Sequence, residues 1–425
     1  MKRFFALIFL VIFFPIQANE IKTTGEPVAV EPAPVATPPR SLQALASYKE
    51  ALVSRGDSLD DQGVMIERLD SGQVLAEHNA DTPFNPASVM KLATSLVALS
   101  KFGADHRYRT DVLADGEVDP SSRKLTGDLV VGGGCDPMFS QADAQQVAMY
   151  LSHLGITRVT GSLRIAGPFY YFANGYHLNL SPETSAAKLR SAFQRAGIRI
   201  EGATVFGQKS GNLLLSHYSD PLNRILLFQN AHSSNAVAEI VGESVGGPTG
   251  IQDYLTHDFG LAESEIFVGR ASGLEFNRIS PRAALNVLRG LIAVLEKYSL
   301  KLEDIMPVAG VDSGTLRSRL GGDDIRGSVV AKTGTLGSTD RGVSTLVGIA
   351  HTRTDGIVLF AILDTGGGVH GYRRLQDKFV EAFLAEEGGG APACRLTDAL
   401  ADNIHDSIVQ VFDLRRPEPA DRVSD

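Results

Sequence analysis

Pro83-Phe84-Asn85-Pro86-Ala87-Ser88-Val89-Met90-Lys91-Leu92-Ala93-Thr94 is the stretch on which the reading of this chain turns. Asn85-Pro86 signals a turn, and from Ala87 onward Val89, Leu92, Leu96, Val97 and Leu99 recur at helical spacing. Ser88 and Lys91, three residues apart in the first turn of that helix, lie on one face with their side chains in reach of each other. A serine hydroxyl needs an adjacent base to become a nucleophile. A lysine desolvated against an apolar helix has its pKa lowered toward that role. Ser-x-x-Lys also occurs at Ser121 to Lys124, in a polar turn after Asp119-Pro120, and at Ser185 to Lys188, on an exposed amphipathic helix. Only Ser88 opens a helix apolar enough to tune a lysine. On its own the tetrad still favours coincidence, so the rest of the chain must decide.

The chain has 425 residues, 43% of them hydrophobic, which suits two domains or one large one around a buried core. A net charge of -9 with no basic stripe argues against nucleic acid as a partner. Residues 1–18 read as a secretory signal: Lys2 and Arg3, an apolar run from Phe4 to Phe14, then small Ala18 near a cleavage point. The run is short for a bilayer span, so contact with a membrane is expected to be peripheral at most, and the exported chain is expected in the periplasm. No cysteine lies there, which argues against a lipid anchor. Residues 19–40 form a Pro-rich linker, and the folded body starts at about Ser41. The two cysteines, Cys135 and Cys394, could pair, although their neighbours do not establish it. No histidine pair has metal-ligand spacing, no Gly-x-Ser-x-Gly elbow occurs, and Gly132-Gly133-Gly134 lacks the Lys-Ser/Thr of a phosphate loop. Neither metal nor cofactor is expected.

Residues 41–54 fit a helix, and Gly63–Glu67 with Gln73–Glu77 fit a hairpin. Residues 107–180 read as an inserted β-rich subdomain, with strands at Thr110–Leu113, Leu129–Val131 and Ser162–Ile165 around a helix at 141–153. The aromatic-rich segment 168–180 reads first as a core or interface cluster and second as the lining of a groove. Ser233-Ser234-Asn235 forms a Ser-x-Asn motif of residue types that cap helices anyway, and Ser210-Gly211-Asn212 repeats it in a polar turn. Ser328 to Thr335 reads as a strand running into Lys332-Thr333-Gly334. Strands at Val343–Ala350 and Ile357–Leu363 and an amphipathic helix at 373–387 follow. Such a run closes a helix-covered antiparallel sheet in an α/β (α+β) fold, with the catalytic domain expected over 41–106 and 181–387. Residues 388–425 remain as a tail with a helix expected at 396–412.

Ser88-x-x-Lys91, Ser233-x-Asn235 and Lys332-Thr333-Gly334 stand in the order of the motif triplet of penicillin-binding proteins and serine β-lactamases, which this chain resembles. Within that group it is similar to the D-alanyl-D-alanine carboxypeptidase/endopeptidase family, the class C low-molecular-mass penicillin-binding proteins. The resemblance runs through Gly127 to Pro137, Ala271-Ser272-Gly273-Leu274 and Pro307 to Leu316, and covers most of residues 60–385. It implies the transpeptidase fold of that group: an antiparallel sheet covered by helices plus an all-helical part. Two departures stand out. Ser88 and Ser233 lie 145 residues apart, short for that family, so its second inserted domain is expected to be missing near 168–180. Ser234 also occupies the middle motif position, where the family often has Asp.

The resemblance implies a serine D-Ala-D-Ala carboxypeptidase, or a DD-endopeptidase, acting on peptidoglycan stem peptides and inhibited by β-lactams. Ser88 would attack, Lys91 would take its proton, and Ser233 would relay a proton to the leaving amine. Asn235 would hold the substrate amide, while Lys332, Thr333, Gly334 and Thr335 would form the wall that receives the terminal carboxylate. Lys332 would also help to keep Lys91 unprotonated. The backbone N–H groups of Ser88 and Thr335 would form the oxyanion hole. A serine β-lactamase would need a base for deacylation, and no glutamate between Ser88 and Ser233 sits in a recognisable loop. A non-catalytic wall-binding protein would have no physical need for Ser88, Lys91 and Lys332 together.

Overall fold

The computed structural model describes residues 42–172, 181–354, 356–400 and 406–412. The expected signal and linker therefore lie outside the described residues. In chain order the elements are α1 (Gln43–Ser54), β1 (Gln62–Arg68), β2 (Val74–His78), a 3-10 turn at Ala87–Val89 and α2 (Met90–Phe102). An excursion follows through β3 (Arg109–Asp119), β4 (Lys124–Gly132), α3 (Gln141–His153), β5 (Leu163–Ala166), α4 (Pro182–Arg195), β6 (Thr204–Gly207) and β7 (Asn212–Tyr218). The chain returns through α5 (Leu222–His232), α6 (Asn235–Ser244), α7 (Pro281–Glu296), β8 (Val329–Leu336), β9 (Val343–His351), β10 (Ile357–Thr365) and α8 (Val369–Glu386), and reaches a late strand, β11 (Ile408–Val411).

The order β8-β9-β10-β1-β2 makes a five-stranded sheet that is antiparallel throughout and has β8 at its edge. Alternation along each strand sends apolar side chains to both faces. Val330, Val347, Leu359 and Ala361 join a core with α2 and α7, whereas Val329, Ala331, Leu346 and Phe360 join a second core with α1 and α8. Helix α2 is buried from Met90 through Leu99, so it is enclosed on every side, and its polar Lys91, Thr94 and Ser95 must find partners indoors. Thr94 donates to Ala271 O (2.7 Å), and Ser95 donates to Lys91 O (2.7 Å) while accepting from Gln229 and Asn230 of α5.

The inserted sheet does not stop at the expected boundary of 180. β7 pairs with β3, β5 and β6 add parallel strands beyond β4, and β11 closes the far edge beside β7, in an eight-stranded mixed sheet. The subdomain therefore runs to Tyr218. Of the aromatic segment, Phe169 is buried against Phe139 and Phe172 packs edge-on against Phe228, which is packing; residues 173–180 lie outside the described residues. The helix expected at 396–412 is absent from its described part. Residues 396–400 are irregular, and Ile408–Val411 is a strand whose ladder to β7 overrides local propensity. Ser185 is buried on α4 while Lys188 faces outward, so that decoy pair does not share an environment. Cys135 and Cys394 are both free thiols.

Two buried carboxyls behave as acids that hold their protons. Asp364 accepts from Tyr48 (2.7 and 2.8 Å) and Gln376 (2.8 Å), and Asp136 lies beside His217; burial pushes each up to about 7. An unfolded Asp titrates near ~3.9, so the folded chain holds extra protons between about pH 4 and about pH 7. Their contribution to stability is complete below that window and lost as pH rises through it. Asp364→Asn is expected to shrink the fall in Tm between about pH 4 and about pH 8 measured by calorimetry. A fall of undiminished size would show that this carboxyl is not the proton's site.

Candidate active site

Three segments far apart in sequence meet at the edge of β8. The first is the turn that carries Ser88. Ala87 sits in the left-handed region (φ 47°), with its N–H bound to Asn85 Oδ1 at 3.0 Å, and this sharp step aims the turn at the sheet edge. Two glycines permit the approach. A Cβ on Gly334 would lie 2.5 Å from Pro86 O, and one on Gly273 would lie 1.9 Å from Ala87 O. Thr345 Oγ1 donates to Pro86 O (2.8 Å) and fixes the turn to β9.

Lys91 is 0% exposed, and its Nζ lies 2.9 Å from Ser88 Oγ, 2.8 Å from Asn235 Oδ1 and 2.6 Å from Ser272 O. Two of these three partners only accept. A neutral amine spends its two N–H bonds on Asn235 and Ser272, leaving its lone pair to face the Ser88 hydroxyl. Burial lowers the Lys91 pKa to about 7, opposed by the negative charge of Glu239, whose carboxylate accepts from Ser272 Oγ at 2.5 Å. Desolvation is the main cause of this lowering, and the mutual repulsion of Lys91 and Lys332 acts in the same direction.

The second segment is the junction of α5 and α6. Ser233 is left-handed (φ 54°) after the last turn of α5, Ser234 caps α6 by accepting from Val237 N (3.4 Å), and Asn235 opens the helix. Helix capping thus falls to Ser234, which frees Ser233 Oγ to meet Lys332 Nζ at 3.0 Å. Lys332 also donates to Thr333 O (2.6 Å) and is 0% exposed; burial, reinforced by Lys91, pushes its pKa far below the ordinary lysine range.

The third segment is β8 itself. Ala331 N donates away from the sheet to Pro307 O, and Val308 bridges Val330, so the first half of this edge is covered. By strand alternation the N–H groups of Thr333 and Thr335 point the same way as that of Ala331, onto the uncovered half. Thr333 Oγ1 donates to Thr315 Oγ1 (2.9 Å), and Thr335 Oγ1 donates to Gly334 O (2.8 Å) and accepts from Arg373 Nη2 (2.7 Å). Ser88, Ser233, Asn235, Thr333 and Thr335 all line one cleft of about 590 Å³. Lys91 and Lys332 lie buried behind that lining, in contact with Ser88 and Ser233 respectively. Among the described residues no cluster of His, Cys, Asp and Glu is arranged to hold a metal ion.

The sequence profile of the D-Ala-D-Ala carboxypeptidase 3 (S13) family matches residues 46–170 and 180–384. The chain belongs to that family. Membership places it among the D-Ala-D-Ala carboxypeptidases, which are hydrolases with the penicillin-binding-protein fold. It is 24% identical to the carboxypeptidase DacB of Mycolicibacterium smegmatis over 433 residues, which span 87% of this chain and 89% of that protein. A shorter match, 35% identical over 101 residues, links it to a D-alanyl-D-alanine carboxypeptidase of an Actinomadura species and spans 24% of this chain and 18% of that one. Among solved structures, a penicillin-G-acylated predatory endopeptidase from Bdellovibrio bacteriovorus superposes with a TM-score of 0.65 at 23% identity, covering 80% of this chain and 95% of its own. That likeness is one of fold.

Some of the residues gathered here were invisible as motifs. The Ser272 carbonyl is a backbone atom, and Thr315 sits inside a similar segment with no motif of its own. Arg373 reads in sequence as one more charge on the polar face of an amphipathic helix. With Lys91 titrating near 7, acylation of Ser88 is expected to climb as pH rises through about 7 and then level off. Lys91→Met should lower the rate by ~10²–10⁴ and remove that limb. Stopped-flow acylation by a chromogenic β-lactam reads both, and a retained limb would assign the base elsewhere.

Proposed function

We propose that the protein is a serine D-Ala-D-Ala carboxypeptidase acting on peptidoglycan stem peptides, with Ser88 as nucleophile and Lys91 as general base. The 2.9 Å contact of Lys91 Nζ with Ser88 Oγ, beside two acceptors that use up the amine's own hydrogens, carries this reading. Ser88 Oγ attacks the carbonyl carbon of the penultimate D-alanine as its proton passes to Lys91. The C–N bond then breaks while the leaving amine takes a proton through Ser233, and water later hydrolyses the ester. Asn235 and the open edge of β8 hold the peptide in extended form, and the Ser88 and Thr335 N–H groups receive the oxyanion. Thr333 and Thr335 face the leaving side across Gly334, with Lys332 beneath them. Where the amine released from a peptide cross-link carries a carboxylate on its α-carbon, the same site would serve endopeptidase cleavage.

Penicillin binding belongs to this reading: a β-lactam presents the same acyl carbon and carboxylate, and the Bdellovibrio endopeptidase of this fold is acylated by penicillin G. A persistent acyl-enzyme is favoured over β-lactamase turnover by the cleft lining. Among the described residues its one carboxylate, Asp377, is tied to Arg319 at 2.7 Å, and Glu239 is tied to Ser272, so neither is placed to activate water at Ser88. The amino-terminal Lys-Arg and apolar run support export to the periplasm. Among the described residues no helix is long and apolar enough to cross a membrane.

Fluorescent penicillin incubated with the wild-type protein and with Ser88→Ala tests the proposal. The wild type is expected to take up a label at Ser88 that persists for many minutes, and the variant to take up none while keeping its Tm. Labelling of the variant would move the nucleophile, and rapid release with consumption of penicillin would make the protein a β-lactamase.

A further inference from the structure

The formal positive charge that faces the cleft does not come from the motif lysines. Lys91 and Lys332 are both fully buried, and their hydrogens go to protein acceptors. It comes from α8. His370, Arg373, Arg374 and Asp377 recur at three- and four-residue spacing on one face of that helix, and all four line the cleft. Asp377 is already taken by Arg319, through contacts of 2.7 and 2.9 Å. Among the described residues neither Arg373 nor Arg374 has a carboxylate within ion-pair distance, and Arg373 is only partly exposed. A half-enclosed guanidinium without a counter-ion is a standing electrostatic demand for an anion.

Arg373 also controls the hydroxyl next to it. Thr335 Oγ1 sends its hydrogen to Gly334 O and receives Arg373 Nη2 on a lone pair, so in this arrangement the hydroxyl has no hydrogen left for a ligand. The guanidinium keeps four of its five N–H groups after that single bond, in the planar fork that matches a carboxylate. We propose that Arg373 is the specificity-determining residue for the leaving side of the scissile bond. It takes the α-carboxylate of the departing residue directly, so that substrates with a free carboxylate there are selected over those whose carboxyl is amidated. This rests on the DD-peptidase reading of the site. It applies equally to a terminal D-alanine and to a cross-link whose departing amino acid carries an α-carboxylate beside the cleaved bond.

The test compares Nα,Nε-diacetyl-L-Lys-D-Ala-D-Ala with its C-terminal carboxamide, for wild type, Arg373→Gln and Arg373→Lys, with penicillin labelling of wild type run in parallel. For a charge-assisted bond, Arg373→Gln is expected to lower kcat/KM on the free acid by about 10²-fold, mostly through KM. Turnover of the amide should stay within about 2-fold, since only the charged contact is lost, and Arg373→Lys should restore part of the acid preference. Equal losses on acid and amide would make Arg373 a prop for Thr335 and overturn the assignment. An acid preference that survives in Arg373→Gln would overturn it too, while leaving the peptidase reading intact. A wild type that neither turns over the acid nor takes the label removes the peptidase reading, and this assignment with it.

Discussion

The enclosure of one amine organises this molecule. Lys91 sits at zero exposure in a helix buried over ten consecutive residues, and a protonated lysine there would hold an uncompensated charge in a poor solvent for it. The structure answers with two acceptors brought from separate segments, the carbonyl of Ser272 and the amide oxygen of Asn235, and turns the lone pair of the neutral amine to the Ser88 hydroxyl of the same turn. Each partner requires its own element to be in place. Ser272 is held by Glu239 of α6 and adjoins Ala271, which accepts from Thr94, while Asn235 sits at the first turn of α6. Folding around the amine and assembling the cleft are thus one event. The site cannot be loosened locally without exposing Lys91 to water and returning its pKa toward that of an ordinary lysine.

Much of this was legible in sequence, for reasons that can be stated residue by residue. The contact of Ser88 with Lys91 follows from helical spacing and the apolar run behind it. Lys332-Thr333-Gly334 ends a strand that alternates between two cores. The helix at 141–153 and the strands at 343–350 and 357–363 were periodic enough to place within a few residues. Other features left no local trace. A backbone carbonyl such as that of Ser272 has no letter in a sequence. Arg373 and Arg374 look like solvated charges until the edge of β8 is placed beside α8. The strand Ile408–Val411 is short and exists because β7 offers it a ladder, so its own residues argue weakly for any state. The end of the inserted subdomain was misplaced for a related reason: residues 199–218 carry short strands, and only their pairing with β3, β5 and the short strand Arg158–Val159 assigns them.

The electrostatics separate two jobs that a motif-based reading merges. Proton transfer needs lysines stripped of water, and anion recognition needs a cation that keeps its charge. One residue type in one environment serves both poorly. Here the two lysines lie buried behind the cleft, where burial drives their pKa values down, and the partly exposed wall holds arginines, whose guanidinium stays protonated under nearly any condition. Asp377, which would have quenched that wall, is occupied by Arg319.

The excursion between α2 and α5 leaves and rejoins the catalytic body through neighbouring strands, with Arg109 directly opposite Tyr218 in an antiparallel pair. Its two ends are therefore stapled side by side before any of the intervening chain is counted. Closing a loop whose stems are already paired costs only slightly more as the loop lengthens. The segment is in this sense a cartridge in a fixed socket: its contents can grow, shrink or be exchanged while Ser88 on one side and Ser233 on the other keep their separation in space. Linear distance between the two motifs thus measures the size of the cartridge and carries no information about the geometry of the site.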